Sequence, residues 1–204
     1  MKVELLSHTP IEGLRSALKP NDIDLDDLLP HVCFTFAVEG ISRACSHQLV
    51  RHRVASYSQQ SQRYIEVKRL RERVVVPRSV EEKAKQAFED FTSTASYAYK
   101  GLVELGVPRE DARFVLPNAT ETCMLVTMDG RELMHFFGLR CCNRSQWEIR
   151  ALADAMLACV RAKEPELFAK AGPYCCQLGR CPEGRFSCGR MDEVRERYAK
   201  MMTH

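Results

Sequence analysis

The chain has 204 residues, enough for one α/β or α+β domain with a substantial core. Hydrophobic residues make up 45% and charged residues 28%, as in a soluble globular protein, and the formal net charge is +3. That mild basic balance suits small anionic ligands but is too weak to indicate nucleic-acid binding. No charged-then-apolar leader opens the chain, and no apolar run reaches the roughly 20 residues that span a bilayer. We therefore expect a cytoplasmic protein without membrane or nucleic-acid partners.

The first half of the chain is predicted to alternate strands and helices. Residues 1–13 alternate like a first strand, and residues 31–40 place Phe34, Phe36 and Val38 on one face of a second. Residues 41–53 are predicted as a helix, residues 55–64 as a polar loop, and residues 74–78 as a short β run ended by Pro77.

The second half is predicted to carry longer helices. The capping-box pair Ser79 and Glu82 opens the longest one, which Gly106 and Pro108 end. Its apolar stripe consists of Phe88, Phe91, Ala95, Ala98, Leu102 and Leu105. Further predicted elements are a strand at 121–128, a short helix at 131–139, and a helix at 145–160 that a Ser145–Glu148 capping pair opens. The pattern indicates a single α+β domain over residues 1–204, with residues 173–204 as a Cys-rich, flexible tail.

The densest polar segment covers residues 47–64. On a helix, Arg43, His47 and Arg51 would share one face, with further cations at its C-terminal end, where the helix dipole favours them. A solvated, helix-stabilising cluster is the simpler explanation of such a triplet. The residues that follow favour a binding site. Most carry uncharged hydrogen-bonding side chains that suit the edge of a pyrimidine, and the last is an arginine whose guanidinium suits a phosphate. They are Ser56, Ser58, Gln59, Gln60, Ser61, Gln62 and Arg63.

These residues resemble a known family. Arg51-His52-Arg53, followed by seven residues and Ser61, matches the RHR-x7-S signature of the flavin-dependent thymidylate synthases. Three later blocks, at 113–122, 131–150 and 172–189, are also similar to that family, in the same order. The resemblance implies a central antiparallel sheet flanked by long helices and a homotetramer with active sites where subunits meet. It implies reductive methylation of dUMP to dTMP with bound FAD, methylenetetrahydrofolate as carbon donor and NADPH as reductant.

The resemblance also assigns roles to individual residues. The expected dUMP contacts are Gln48, Arg51, Gln59, Gln60, Ser61, Gln62, Arg63, Arg113 and Arg140. The expected FAD contacts are Arg51, His52, Arg53, Gln59, Asp129, Gly130, Arg131 and His135. No metal ligand is implied. The sequence carries no nicotinamide-binding fingerprint, so NADPH rests on the resemblance alone.

Arg140 is the expected catalytic residue. The family is thought to use a flavin hydride without an enzyme nucleophile, so the protein must stabilise negative charge on the N3–O4 side of uracil. A planar guanidinium that stays cationic does this well. Without the resemblance, Arg140 is equally well explained as a cation at a helix C-terminus, and Arg113 as a surface arginine.

Nucleophilic and metal chemistry have weaker support in the sequence. Ser61 has no readable base partner, so we assign it to substrate hydrogen bonding. Cys141 and Cys142 follow Arg140, but their apolar neighbours favour packing. Four tail cysteines lie close in sequence with gaps of four and six residues, which favours free thiols or a disulfide over zinc. They are Cys175, Cys176, Cys181 and Cys188.

The sequence departs from the family pattern in three places. Residues 1–30 are shorter and lack the usual residues before the 31–40 strand, which puts flavin or folate contacts from that region in doubt. Asp129-Gly130-Arg131 replaces Asn-Ala-Arg, adding a carboxylate that suits a helix N-cap but opposes FAD phosphates by roughly 1 kcal/mol. The stretch between Tyr64 and Val74 is short and charged.

Two other functions are considered alongside dUMP methylation. One is a flavoprotein of the same fold acting on a different nucleotide, which only the departures support. The other is a basic, non-enzymatic nucleic-acid-binding domain, which predicts exposed aromatics among the cations. The aromatic residues here fall mostly at periodic core positions.

Overall fold

A computed structural model of the chain describes residues 1–17, 24–67 and 69–201. Residues 18–23 belong to the N-terminal stretch where flavin or folate contacts are in doubt, and they lie outside the described part. Four strands form one antiparallel sheet in the order β1-β2-β4-β3. They are β1 (Lys2–His8), β2 (Cys33–Ser42), β3 (Ala55–Gln59) and β4 (Glu121–Asp129). Across these described ranges, no helix is both long and apolar enough to cross a membrane.

Ten α-helices accompany the sheet in the described residues, which confirms the α+β class. They are α1 (Ile11–Ala17), α2 (Leu25–Leu28), α3 (Arg43–Leu49), α4 (Arg78–Lys83), α5 (Lys85–Glu104), α6 (Arg109–Ala112), α7 (Gly130–Arg140), α8 (Trp147–Lys163), α9 (Tyr174–Gln177) and α10 (Met191–Lys200).

The core lies between one face of the sheet and helices α7 and α8. The predicted alternation of Phe34, Phe36 and Val38 is confirmed, since all three side chains are fully buried. The opposite face of β2 and β4 stays exposed or half-buried, and Leu125 is 45% exposed there. Burying apolar area on one face only leaves the other face open to a further layer.

The segment 41–64 differs from its prediction. The helix ends at Leu49, so Arg51 lies in the turn after it and does not share a helical face with Arg43. The predicted polar loop begins with strand β3, which pairs with β4 from Ala55 opposite Met128 to Gln59 opposite Met124. Pairing at a sheet edge satisfies the backbone whatever the side chains, and Ser56 and Ser58 face solvent.

The helical region after residue 74 also differs. Only Val74 of the predicted β run pairs, through one bridge to Thr120. The predicted long helix is divided at Ala84 into α4 and α5, and α4 starts after Pro77 without a side-chain cap. The buried side of α5 consists of Thr92, Ala95, Ser96 and Tyr99. Phe91 and Leu105 of the predicted stripe are 57% and 83% exposed.

The C-terminal segment packs on the helical side through α10. Val194 and Tyr198 are buried, and the Tyr198 hydroxyl donates to Cys141 O at 2.9 Å. The buried guanidinium of Arg161 donates to the carbonyl oxygens of Phe168, Ala171 and Tyr198. These bonds join α8 to α10 and place the tail beside the end of α7. Residues 202–204 of the predicted tail lie outside the described residues.

Candidate active site

Arg140 is half-buried at the end of α7 and is held there by a hydrogen-bonded chain through the buried His52 and Glu132. Its Nε donates to Nε2 of His52 over 3.0 Å, and its Nη2 donates to the carbonyl oxygen of Gln48 at 3.4 Å. Since Nε2 accepts, the proton of the neutral ring lies on Nδ1, which is 2.9 Å from Glu132 Oε1. The chain Glu132–His52–Arg140 therefore fixes the tautomer of the histidine and the direction of the guanidinium.

The surroundings keep His52 neutral. Burial lowers its pKa to about 4, with further lowering from the charges of Arg140 and His135. Burial raises the pKa of Glu132, and burial lowers the pKa of Arg140. The His52–Glu132 contact is therefore a hydrogen bond from a neutral imidazole and not an ion pair.

The turn after α3 separates the three residues of the RHR signature. Tyr57 donates from its hydroxyl to the carbonyl oxygens of Leu49 and His52, at 2.9 and 2.8 Å, which holds the turn in place. His52 points inward and packs edge-on against Phe136, with ring centroids 4.9 Å apart. Arg51 and Arg53 point outward and are exposed. Their guanidinium groups form no ion pair with any other described residue and are available to an anion.

The N-terminus of α7 lies beside this turn. Asp129 caps the helix by accepting from the backbone N–H of Glu132 at 2.7 Å, as expected for its position. A Cβ at Gly130 would lie 2.8 Å from the carbonyl oxygen of Leu29, so the residue must be glycine for the helix to pack this closely. Arg131 and His135 are exposed on the outer side, and His135 Nδ1 shares a 2.6 Å hydrogen bond with Tyr174.

The predicted substrate residues 60–63 and Arg113 lie elsewhere, beyond the end of β3. Gln60 N–H donates to Cys123 O, and its own carbonyl oxygen accepts a 3.4 Å bond from Arg43. Burial lowers the pKa of Arg43, and the positive charge of Arg113 lowers it further because the two guanidiniums lie near each other. Ser61 Oγ accepts from Arg63 N–H at 3.2 Å. Gln62 lies on the same turn and, with Gln60 and Ser61, lines a small cleft.

Two predicted contacts are engaged inside the fold. Gln59 donates from Nε2 to Ser46 Oγ at 2.9 Å and to Thr122 Oγ1 at 3.2 Å, so its amide braces α3 against β4. Arg63 pairs with Glu110 at 2.7 Å. A ligand of Arg63 must therefore share it with that carboxylate or displace it.

A single chain holds the predicted site residues in two groups. The flavin-end group contains His52, Arg131, His135 and Arg140, which lie on α7 or are bonded to it. The loop group contains residues 60–63 and Arg113 beside the start of β4. Because Gln60 is opposite Cys123, six strand residues separate it from Asp129, a distance of about 20 Å. That distance applies to the N-terminal end of α7. Arg140 lies at the other end of α7 and reaches Gln48 O on α3, the helix whose Ser46 is bonded to Gln59.

Two thiols close to Arg140, those of Cys45 and Cys141, are held protonated in this structure. Cys45 is fully buried, and burial, followed by the charge of Glu148, raises its pKa to about 12. Cys141 is fully buried as well, and burial raises its pKa well above the ordinary value. A thiol held protonated is a poor nucleophile. All ten cysteines are unpaired.

The residues that complete the site were missed because their roles depend on contacts distant in sequence. Glu132, Tyr57 and Arg43 carry no local signal for orienting His52, holding the turn or meeting Gln60. Ring and carboxylate atoms of His52, Glu132 and His135 lie within 4.8 Å of one another, a spacing that a metal could use. Both nitrogens of His52 are already hydrogen-bonded, so an ion there would compete with Glu132 or Arg140.

Comparison with known proteins places this site in a family. Residues 25–166 match the family model described as thymidylate synthase complementing protein. The flavin-dependent thymidylate synthase of Geobacter sulfurreducens is 49% identical, covering 98% of this chain and 99% of that protein. The one from Pyrococcus abyssi is 46% identical over 87% of this chain and 76% of that protein.

A solved structure confirms the fold. The UMP/dUMP methylase PolB from Streptomyces cacaoi, bound with 5-Br dUMP, superposes with a TM-score of 0.68 at 23% identity, over 84% of this chain and 95% of that one. The fold and the family match define an α+β enzyme of the thymidylate synthase complementing class. The chain belongs to the flavin-dependent thymidylate synthases, as its RHR-x7-S signature predicted.

Proposed function

We propose that the chain converts dUMP to dTMP, with FAD bound at the flavin-end group, methylenetetrahydrofolate as carbon donor and NADPH as reductant. The observation that carries this proposal is the hydrogen-bonded Glu132–His52–Arg140 chain. It holds one guanidinium at the mouth of a cleft in a family whose named members are thymidylate synthases. Arg140 Nη1 makes no hydrogen bond to other described residues, so one edge of the guanidinium remains for a ligand.

The chemistry requires charge stabilisation more than a nucleophile. Carbon 5 of uracil attacks a one-carbon donor only when negative charge on the N3–O4 side is stabilised. Arg140 supplies a fixed cation there, because Nε and Nη2 are already bound and the group cannot rotate freely. The buried, protonated thiols of Cys45 and Cys141 are consistent with a reaction that forms no bond to the enzyme.

The residues around the turn fit FAD. When bound, the flavin supplies the hydride of the reductive methylation. Arg51, Arg53 and Arg131 are exposed guanidiniums without ion-pair partners among the described residues, and such groups bind a diphosphate strongly. His135 lies one helical turn beyond Arg131 and is held by Tyr174. One carboxylate oxygen of Asp129 accepts the hydrogen bond that caps α7, and this reduces the repulsion between Asp129 and the phosphates.

A homotetramer is proposed for the site to be complete. The flavin-end group of one chain and the loop group of another would together surround dUMP. The uncovered face of the sheet around Leu125, and the exposed Phe91 on α5 with Leu105 just after that helix, offer surfaces for such packing. Both features are expected of a chain that buries further area on assembly.

The alternative function is a flavoprotein that acts on another nucleotide. It predicts the same FAD site but different contacts to the base of the nucleotide substrate. The test is a visible absorption spectrum of the purified protein, followed by titration with dUMP. A bound oxidised-flavin spectrum that dUMP perturbs in the wild type but not in Arg140→Ala supports the proposal. Arg78→Ala, an exposed arginine paired with Glu82 on α4, is the matched control and should respond like wild type.

The other outcomes point elsewhere. Flavin without a dUMP response, followed by a response to another nucleotide, would establish the alternative function. No flavin even with excess FAD would mean that this chain has lost the chemistry of its family.

A further inference from the structure

Four cysteines from distant parts of the sequence line one cavity of about 330 Å³ beside the end of α7. Cys142 follows α7, Cys175 lies on α9, and Cys181 and Cys188 lie in the segment between α9 and α10. Arg140 and Arg144 line the same cavity. The neighbouring Cys176 faces a different cleft, next to Arg161 and Tyr198. Four thiols therefore converge from three separate segments.

The segment that carries two of these cysteines has almost no other anchor. Between Leu178 and Arg190 every side chain is exposed except those of Cys181 and Cys188, which are half-buried. The hydrogen bonds that residues 179–189 make to other described residues all stay within the segment. A stretch without apolar burial or long-range hydrogen bonds needs another source of order, and metal coordination by inward-facing thiolates is such a source.

The spacing of the sulfur atoms selects among metal centres. A tetrahedral zinc site at about 2.3 Å per bond brings its sulfurs to about 3.8 Å of one another. Among the described residues, the group of three ligand atoms that lie within 4.8 Å is His52, Glu132 and His135, with no cysteine in it. The described thiols therefore do not form a preassembled site for one ion; they line a shared cavity with room for a larger inorganic centre.

We propose that Cys142, Cys175, Cys181 and Cys188 bind a [4Fe–4S] cluster in this cavity. Four cysteine thiolates are the usual ligand set of such clusters. The oxidised cluster with its thiolates carries a net charge of about −2, part of which the guanidinium of Arg144 in the cavity lining offsets. Positive-φ glycines at 179 and 189, with φ of 70° and 71°, let the chain turn toward the cavity on both sides of the two loop cysteines.

The cluster would also fix the wall of the candidate active site. Its ligands join the C-terminus of α7, where Arg140 lies, to α9, where Tyr174 holds His135. None of the four cysteines is an expected FAD or dUMP contact, but Gln48 and Arg140, which are expected dUMP contacts, line the same cavity, so the cluster would form one wall of the substrate site. The centre is proposed as a structural clamp, and no electron transfer is assigned to it.

The test is to prepare the full chain without oxygen, reconstitute it with ferrous iron and sulfide, and measure bound iron and acid-labile sulfide. About four of each per chain, with the paramagnetic resonance signal of a reduced cluster after dithionite, support the proposal. Separate Cys→Ser changes at 142, 175, 181 and 188 should each lower the iron content by at least roughly tenfold. Cys176→Ser, adjacent on the same helix but facing another cleft, should retain it.

A second measurement remains informative where a variant folds poorly. Trypsin cleavage after Arg180, Arg185 and Arg190 should slow by at least roughly tenfold on reconstitution of the wild type, since clamping suppresses local opening. Wild-type protein that binds no iron, or that binds one zinc per chain in preference to iron, would overturn the proposal. So would an equal loss of iron in Cys176→Ser and Cys175→Ser.

Discussion

The guanidinium of Arg140 donates from Nε to the Nε2 of His52 over 3.0 Å, although the two residues are 88 positions apart in the sequence. The ring accepts this bond only because its proton lies on Nδ1, where Glu132 receives it. The direction of the proposed catalytic cation therefore depends on a carboxylate that contacts no expected ligand. This relationship makes Glu132 a positioning residue.

Replacing Glu132 separates positioning from charge. In Glu132→Gln the amide oxygen still accepts from Nδ1, so we expect most of the turnover to remain. In Glu132→Leu the acceptor is lost, the tautomer is no longer fixed, and turnover should fall by about 10-fold to 100-fold. The unsatisfied Nδ1–H should also cost about 1–3 kcal/mol of unfolding free energy. Steady-state kinetics with urea unfolding measures both effects.

The control for these variants is Glu12→Leu on α1, an exposed carboxylate far from the turn. It should leave turnover and stability near wild type. Equal loss in the Gln and Leu variants would show that the charge of Glu132, and not its acceptor, is what matters.

Stability should fall as the solution is acidified through the range in which His52 titrates. The folded-state pKa of His52 is about 4, below the ordinary 6.5, so the unfolded chain binds this proton first. The contribution of neutral His52 to the free energy of unfolding is complete above pH 6.5. It is lost as pH falls towards 4, by up to about 3 kcal/mol. The raised pKa of Glu132 acts in the opposite direction at the acid end, while Arg140 and His135 keep His52 neutral.

Urea unfolding at several pH values between 4 and 7 measures this slope for wild type and His52→Gln. The variant should show a flatter dependence than the wild type over the upper part of that range. Parallel slopes for the two proteins would mean that other groups, and not His52, control acid stability.

Asp129→Asn should strengthen FAD binding. Asparagine still accepts the bond from the Glu132 N–H, so the helix cap is kept while one negative charge near the proposed diphosphate site is removed. We expect FAD to bind roughly fivefold more tightly, or about 1 kcal/mol. Flavin fluorescence titration measures the change, and Asp192→Asn on α10 is the control. Unchanged affinity in a normally folded Asp129→Asn would place the diphosphate away from α7.

Two inactive variants should restore each other if active sites are shared between chains. Arg140→Ala removes a residue of the flavin-end group and Arg113→Ala one of the loop group. In random mixed oligomers about a quarter of the sites combine two intact groups, so activity should recover to about that fraction. Co-expression with two different tags isolates the mixed species. Mixed oligomers of two differently tagged Arg140→Ala chains are the control and should stay inactive.

Absence of recovery in verified mixed oligomers would contradict the two-chain site. It would mean that Arg113 and Arg140 of the same chain serve one site.

Local patterns in the sequence were sufficient where neighbours along the chain decide the outcome. The alternation of Phe34, Phe36 and Val38 predicted β2 and its buried face, and Asp129 was recognised as the cap of α7. The capping pair at Ser145 failed for a tertiary reason. Gln146 caps α8 instead, and Glu148 accepts from Ser42 N–H and Oγ at 2.7 and 2.6 Å. That contact spans 106 residues and is invisible to a local pattern.

The sequence by itself determined the family, because an ordered set of side chains with fixed spacing is a property of the chain. Only the tertiary structure decided where those residues lie and which of them contact one another. It made 55–59 a strand, since pairing with β4 satisfies a backbone whose side chains are polar. It turned His52 inward while its two arginine neighbours stayed in solvent, and it brought four scattered cysteines to one cavity. Each outcome depends on contacts between distant segments, and such contacts form only when burial and hydrogen bonding are satisfied for the whole fold at once.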